Sequence, residues 1–274
     1  MRKLKENILK ALIYLSAIFT VATLVVIVGY IFINGIGGIN LKFLFSDYSA
    51  SGDGGILPMI VTTIYMVVLS IVVATPIGIL AAIYLQEYAK KGKMVTAIRF
   101  ATESLAGIPS IIYGLFGGIF FVVTLDMKYS ILSGALTVAI IILPVIIRTT
   151  EESLKTVPQS YREASLALGS TKFQTLYKVV LPSAIPGILS GLILSVGRVI
   201  GESAAILLTA GTVAKMPGTI FDSARTLTVQ AYLLTKEKGD ISGAASIGVV
   251  LIILVLSLNM IAKIVAKKLN KANY

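Results

Sequence analysis

The sequence predicts an all-α membrane protein with six transmembrane helices, and three observations carry that expectation. The 274 residues are 56% hydrophobic, with a mean hydropathy of +0.92, above the roughly 45–50% apolar share of soluble domains. The apolar excess gathers in runs of about 20 residues, the length that crosses a ~30 Å hydrocarbon core as helix. The Lys and Arg residues crowd beside alternate ends of those runs, the asymmetry of the positive-inside rule. One membrane domain fits this length, with no room for a second, soluble one.

Span one is expected over about 10–34. Arg2, Lys3, Lys5 and Lys10 precede it, as in a signal peptide. Its apolar run, Ala11 to Ile33, is too long for an h-region, and no A-x-A site follows, so it reads as a retained span. Gly35-Ile36-Gly37-Gly38 ends it. Residues 39–55 form an external polar loop with Asp47, Ser51, Gly52, Asp53 and Gly54. This first unit, 1–55, is set apart from a transmembrane core at 56–274.

Span two covers about 56–87, with Pro58 suited to a first helical turn and Pro76 expected to kink the interior. Gln86-Glu87-Tyr88 ends it, before Lys90, Lys91, Lys93 and Arg99. Span three covers about 103–125. Its Gly107, Gly114, Gly117 and Gly118 suit close helix packing, and that reading is preferred over a broken, ligand-facing helix at Gly107-Ile108-Pro109-Ser110. Span four covers 130–149, with Pro144 inside and Arg148 near its end. A polar loop, 150–182, leads to span five at 183–210. A mixed loop, 211–240, precedes span six at 241–263, and the tail carries Lys263, Lys267, Lys268 and Lys271. Six spans with this charge distribution place both termini, the 88–99 loop and the 150–182 loop in the cytoplasm.

The net charge of +11 fits this topology better than it fits a nucleic-acid partner, because the basic residues sit beside apolar runs. There is no Cys and no His, which removes disulfides, thiolate chemistry and the commonest general base and metal ligand. No phosphate-cradling G-x-x-x-x-G-K-[ST] occurs, and Gly169-Ser170-Thr171-Lys172 is only a fragment of one. No catalytic, metal or cofactor site is expected, and any ATPase must lie on another chain.

Arg198 and Glu202 stand out in span five. Arg198 lies about 22 Å along the helix from Ser183 at 1.5 Å per residue. Their i, i+4 spacing puts both on one helix face. Charges at that depth are costly and mark functional positions by default, although an ion pair that merely fixes helix register is the competing reading. Arg148 is close enough to the cytoplasmic end to snorkel. Two guanidinium forks on one route would suit a phosphate-type oxyanion.

The loop then gives a resemblance. Glu163-Ala164-Ser165, three residues, Gly169, nine residues, and Val179-x-Leu181-Pro182 resemble the E-A-A-x3-G-x9-I-x-L-P signature of binding-protein-dependent ABC import permeases, with Ser165 for Ala and Val179 for Ile. Local physics agrees: Ala164 to Leu168 favour helix, Gly169 can close it in the left-handed region, and a second helix can start at Thr171. Ser104 to Gly114, Leu143 to Glu152 and Gly197 to Glu202 are similar to phosphate importer permeases of the PstA type. The resemblance implies a six-span importer-type (MetI-like) fold in a prokaryotic cell membrane, with a cytoplasmic coupling helix. It implies Glu163, Ala164, Ser165, Gly169, Leu181 and Pro182 as the ATPase-coupling residues. Arg148, Arg198 and Glu202 match positions where the family keeps intramembrane charge. Implied partners are a homologous PstC-like permease, a PstB-like ATPase dimer and a PstS-like external phosphate-binding protein, beside membrane lipid. An importer of another oxyanion (molybdate, sulfate or phosphonate) and a stand-alone channel or carrier are the alternatives. Co-purification of an ATPase excludes the second.

Overall fold

The computed structural model describes residues 2–49, 54–90 and 92–271, with side chains described between 6 and 264. Ser51, Gly52 and Asp53 of the expected polar loop, Lys91, and the side chains of Arg2, Lys3, Lys5, Lys267, Lys268 and Lys271 lie outside the described residues. No strand occurs among the described residues. In chain order the helices are α1 (Arg2–Gly35), α2 (Leu41–Phe45), α3 (Leu57–Ile83), α4 (Lys93–Ala106), α5 (Ser110–Gly117), α6 (Ile131–Thr156), α7 (Gln159–Ala167), α8 (Lys172–Thr175), α9 (Leu181–Gly201), α10 (Ala204–Thr209), α11 (Leu227–Leu233) and α12 (Ile241–Lys271).

Five helical runs are long and apolar enough to cross a membrane, and the bent pair α4/α5 makes a sixth. The chain is a multi-pass membrane protein by these helices. α3 continues through a π-turn, Tyr84–Tyr88, as span two requires. Pro58 sits in its first turn and Pro76 in its interior.

Three boundaries differ from the sequence expectation. Span three is not one helix: α4 and the run Ser110–Thr124 meet at 101° across Gly107, Ile108 and Pro109. Pro109 has no N–H to continue the helix and disfavours helical backbone at Ile108. The glycines beyond the break still pack closely, as expected. A Cβ at Gly114 would stand 2.8 Å from the Cα of Ala205, and one at Gly117 would collide with Thr137 Oγ1.

Span four extends to Thr156, because α6 stays helical through its polar end. The loop expected at 150–182 is correspondingly short, since Lys172–Gly201 is one helical run. Pro182 does not interrupt it and stands at the start of α9, just after the π-turn Leu176–Val180. Span five stops at Gly201 and restarts as α10. The mixed loop also contains α11 and a π-turn, Leu234–Lys238, closed by Gly239 at φ +64.

The core lies between α3, α6 and α9. α3 and α6 run parallel: Ser70 Oγ donates to the Ala135 carbonyl at 3.1 Å, and Gly78 faces Ile146 further along. α9 runs antiparallel to α6, with Gly191 against Thr149 and Gly187 against Ser153. Met66, Ile131, Val138, Ile142, Ile146, Val199 and Ile206 fill the space between, all buried. The small residues set the interhelical distance, since only glycine lets these backbones approach so closely. α1 lies antiparallel to α12, where Ser246 Oγ donates to the Gly35 carbonyl at 2.8 Å.

Two ends can be distinguished. Residues 84–106 and 150–180 form a basic end. The opposite end holds residues 36–56 and the segment 210–226. There Asp222 accepts from the Gly218 and Thr219 N–H groups, both at 2.8 Å. These two bonds, Thr219's first, hold its carboxyl below the usual range. Its carbonyl also accepts from Ile131 N at 3.0 Å, which caps the start of α6.

Gly114→Val is expected to push α10 off α5, with an overpacking cost of about 1–3 kcal/mol. Gly29→Ala, where nothing lies within 4 Å, should be neutral. Thermal unfolding in detergent checks both, and an unchanged midpoint for Gly114→Val would refute the close packing.

Candidate functional site

Charge gathers at three places. The first is the loop after α6. Pro158 presets the entry to α7, and Gly169 ends it at φ +84, the left-handed region open to glycine without a Cβ penalty. Gly169 N donates to Leu166 O at 2.9 Å and Ser170 N to Ser165 O at 3.2 Å. Thr171 then forms a capping box with Gln174, the reciprocal pairing that starts α8. The helix–Gly–helix unit expected from sequence is present.

Ser165 is buried, and its hydroxyl shares a 2.9 Å hydrogen bond with that of Thr175. A small hydroxyl therefore replaces Ala without loss, and joins α7 to α8. Glu163, Ala164 and Leu168 are exposed. Leu181 and Pro182 lie in the first turn of α9, with Leu181 packed against a core patch of Leu154, Val157, Leu176 and Val180.

The second place is the end of α9. The structure separates the two charges that sequence spacing put together. Glu202 leaves the helix with ψ 132. Its Oε1 accepts from Ala205 N at 3.1 Å, and its carbonyl accepts from Thr228 Oγ1 at 2.8 Å. The carboxylate is buried and serves the start of α10. The i, i+4 geometry fails because the helix ends one residue before Glu202. Arg198 is exposed on this chain and has no ion pair within 4 Å among the described residues. Beside it, a Cβ added at Gly197 or Gly201 would meet nothing within 4 Å. The Tyr113 hydroxyl lies within the field of the Arg198 charge, and it donates across the α4/α5 break to the Leu105 carbonyl at 2.7 Å.

The third place is a cleft of about 240 Å³ between α4 and α6. Arg99, Glu103, Arg148 and Glu151 line it. Arg99 donates through Nε and Nη2 to Glu151 Oε1, at 3.2 and 3.0 Å. Arg148 reaches Glu103 at 3.5 Å, with both side chains more than 60% exposed. At that exposure the pair adds little stability, so Arg148 is free to exchange its partner. The α6–α9 register puts Arg198 level with Ile142. Arg148 therefore stands roughly 9 Å nearer the basic end at 1.5 Å per residue.

Sequence reasoning missed Glu151 and Glu87 as partners. Glu151 holds Arg99, and Glu87 holds Arg162 at 2.9 Å with both side chains under 15% exposed. Each acid stands at the edge of an apolar run, where polarity reads simply as the end of a span. Among the described residues no cluster of acids fit for a metal ion occurs.

The model of the family described as binding-protein-dependent transport system inner membrane component matches residues 74–271. The chain is 35% identical over 280 residues to the probable ABC transporter permease protein YqgI of Bacillus subtilis (strain 168), covering 96% of this chain and 95% of that one. It is 32% identical over 283 residues to the phosphate transport system permease protein PstA of Yersinia pestis, covering 97% and 92%. The PstA of Mycobacterium leprae (strain TN) is 31% identical over 268 residues, covering 94% and 88%. Among solved structures, a chain of a bacterial alginate ABC transporter in complex with its pentasaccharide-bound periplasmic protein aligns at TM-score 0.69 and 15% identity, covering 97% and 96%. A chain of the inward-facing MetNI methionine ABC transporter aligns at TM-score 0.60 and 21% identity, covering 78% and 94%. At these identities the solved structures speak to the fold alone.

Because Glu202 caps α10, Glu202→Ala should lower thermal stability in detergent by about 0.5–2 kcal/mol, as loss of a helix cap does. Glu202→Gln keeps the acceptor and should hold the wild-type midpoint. A Gln variant as unstable as the Ala variant would mean that the charge, and not the cap, is what matters.

Proposed function

The chain belongs to the family of binding-protein-dependent transport system inner membrane components, and on that premise we propose that it is one permease half of an ATP-driven importer of inorganic phosphate. The observation that carries this reading is Arg198, a guanidinium deep along α9, exposed on this chain and free of any ion pair among the described residues. The PstA names of relatives that align over most of their length support phosphate as the cargo. Both termini and the α7–α8 loop face the cytoplasm in this reading, as the Lys and Arg asymmetry requires.

The working complex pairs this chain with a PstC-like permease, a PstB-like ATPase dimer and a PstS-like external phosphate-binding protein. Phosphate released by the external protein enters between the two permeases. Arg198 replaces part of the hydration lost by the anion, through the bidentate contacts that a guanidinium makes with phosphate oxygens. Arg148, nearer the basic end, offers a second and weaker station. Its exposed partner Glu103 competes with the anion there, which favours release, as a conduction path needs. Glu202 acts on the path indirectly: its cap fixes the helix break next to Arg198. The exposed face of α7, with Glu163 and Ala164, docks on the ATPase, and Gly169, Leu181 and Pro182 carry that contact into α9. ATP hydrolysis belongs to the ATPase chains.

Arg198→Gln should abolish phosphate uptake in a permease-null cell while the complex still assembles, and wild-type uptake would remove Arg198 from the path. Gly169→Val should leave assembly intact and lower uptake per ATP hydrolysed, because holding φ +84 costs a residue with a Cβ about 1–2 kcal/mol. Since nothing lies within 4 Å of a Cβ there, the effect is conformational, and normal coupling in proteoliposomes would refute it.

A further inference from the structure

α7 is joined through the chain to α6 and α9, but α3 is about 70 residues away in sequence. Whatever moves α7 reaches α3 only through side chains and packing. One polar cluster makes that connection, beside the packing of Ile79 and Ile83 on Leu154, Val157, Leu176 and Val180. Arg162, on α7, donates from Nη2 to Glu87 Oε1 at 2.9 Å. The same guanidinium donates to the carbonyls of Leu154 and Val157, at 2.9 and 2.7 Å. Those carbonyls end α6, where helix geometry leaves acceptors unpaired and a cation is favoured. Arg162 and Glu87 are 14% and 13% exposed, so neither is a surface pair of negligible weight.

A second grip comes from α8. Lys172 Nζ donates to the Glu87 carbonyl and lies 4.8 Å from the centre of the Tyr88 ring. Because the buried Ser165–Thr175 hydrogen bond joins α7 to α8, both grips belong to one body. That body holds the π-turn Tyr84–Tyr88 through Arg162 on one side chain and Lys172 on one carbonyl. The faces of α7 are divided accordingly. Arg162 and Ser165, three residues apart, face inward. Tyr161, Ala164 and Leu168 lie on the outward face, Tyr161 53% and Leu168 87% exposed.

We propose that Glu87 is a positioning residue of the coupling step, fastening the α7–α8 unit to the end of α3 so that a push on α7 moves α3 together with α6 and α9. This rests on the importer reading. It goes beyond the loop signature, because Glu87 lies outside that signature and is held by Arg162 and Lys172 of this chain. Without the Glu87 carboxylate, Arg162 keeps its two α6 carbonyls and loses its ion pair to α3, and only the Lys172 contact and the apolar packing of Ile79 and Ile83 still join the unit to α3.

The test uses the complete complex in proteoliposomes, with phosphate uptake and ATP hydrolysis measured together. Glu87→Gln should assemble and hydrolyse ATP, with uptake per ATP lowered by roughly tenfold, inside the span over which a coupling free energy acts. Glu87→Asp should recover part of the ratio. A structural role alone would lower both rates in proportion to the assembled complex and leave their ratio unchanged, and that result overturns the proposal. Hydrogen exchange on the wild-type complex gives a second readout that needs no variant. ATP binding should change protection at residues 84–88 in step with residues 159–167, and a response confined to 159–167 overturns the proposal. A wild-type complex that hydrolyses ATP without moving phosphate refutes the importer reading instead, and the exchange result still decides the clamp.

Discussion

Backbone polar groups at membrane depth have no water to turn to, so a helix that breaks there must find its partners within the protein. This chain breaks one span between α4 and α5 and ends another at Gly201, before α10, and side chains take part at both places. At the α4/α5 break the Tyr113 hydroxyl donates to the Leu105 carbonyl, which also accepts from Ile108 N at 3.2 Å. At the α9/α10 break the Glu202 carboxylate takes the Ala205 N–H, and Thr228 donates to the Glu202 carbonyl. The two repairs are neighbours: Gly114, one residue after Tyr113, packs against Ala205. Much of the arrangement follows. α10 lies against α5, the segment 210–226 returns to cap α6, and Arg198 is left at the edge of the break with its expected acid already engaged.

The six spans were legible because composition and length alone decide them, and the basic end was legible because charge marks it. Gly169 and Thr171 were equally readable, since left-handed backbone and a capping box are set by a few neighbouring residues. What sequence could not supply was any outcome decided by contact across the fold. Gly107 and Pro109 were visible as a possible break, but small-residue packing explained the same glycines, and the structure contains both. Glu202 looked like the partner of Arg198 because i, i+4 spacing holds only while the helix continues. Its capture by Ala205 N depends on a break that neither residue announces. The π-turn that joins α8 to α9 left no periodic signal either, so the start of span five, drawn at Ser183, fell short of Lys172.

The division between exposed and buried polar groups on the α7–α8 unit follows the same logic. Ser165 and Thr175 satisfy each other inside, and Arg162 is spent on α6 and α3. Glu163, Ala164 and Leu168 are left outward, exposed among the described residues. A short helix of nine residues would be marginal alone. It holds its shape here because its inner face is fixed by charge-assisted hydrogen bonds, which are stronger and more directional than packing. A unit fixed in this way passes displacement on without absorbing it, as the proposed coupling role demands.

Arg198 completes the argument by contrast. The partly buried Arg162 and the half-exposed Arg99 each have a carboxylate within 3.0 Å, whereas Arg198 has none. An uncompensated guanidinium at membrane depth is unfavourable unless water, a neighbouring chain or an anion solvates it. Had Glu202 remained helical and paired with it, the charge would have been cancelled locally, and a passing oxyanion would have had to displace a carboxylate held on the same helix. By ending the helix at Gly201 and turning the acid onto Ala205, the fold keeps the arginine in place and its charge unspent. In the proposed path, an anion beside Arg198 offsets part of that cost, as water or a neighbouring chain also does.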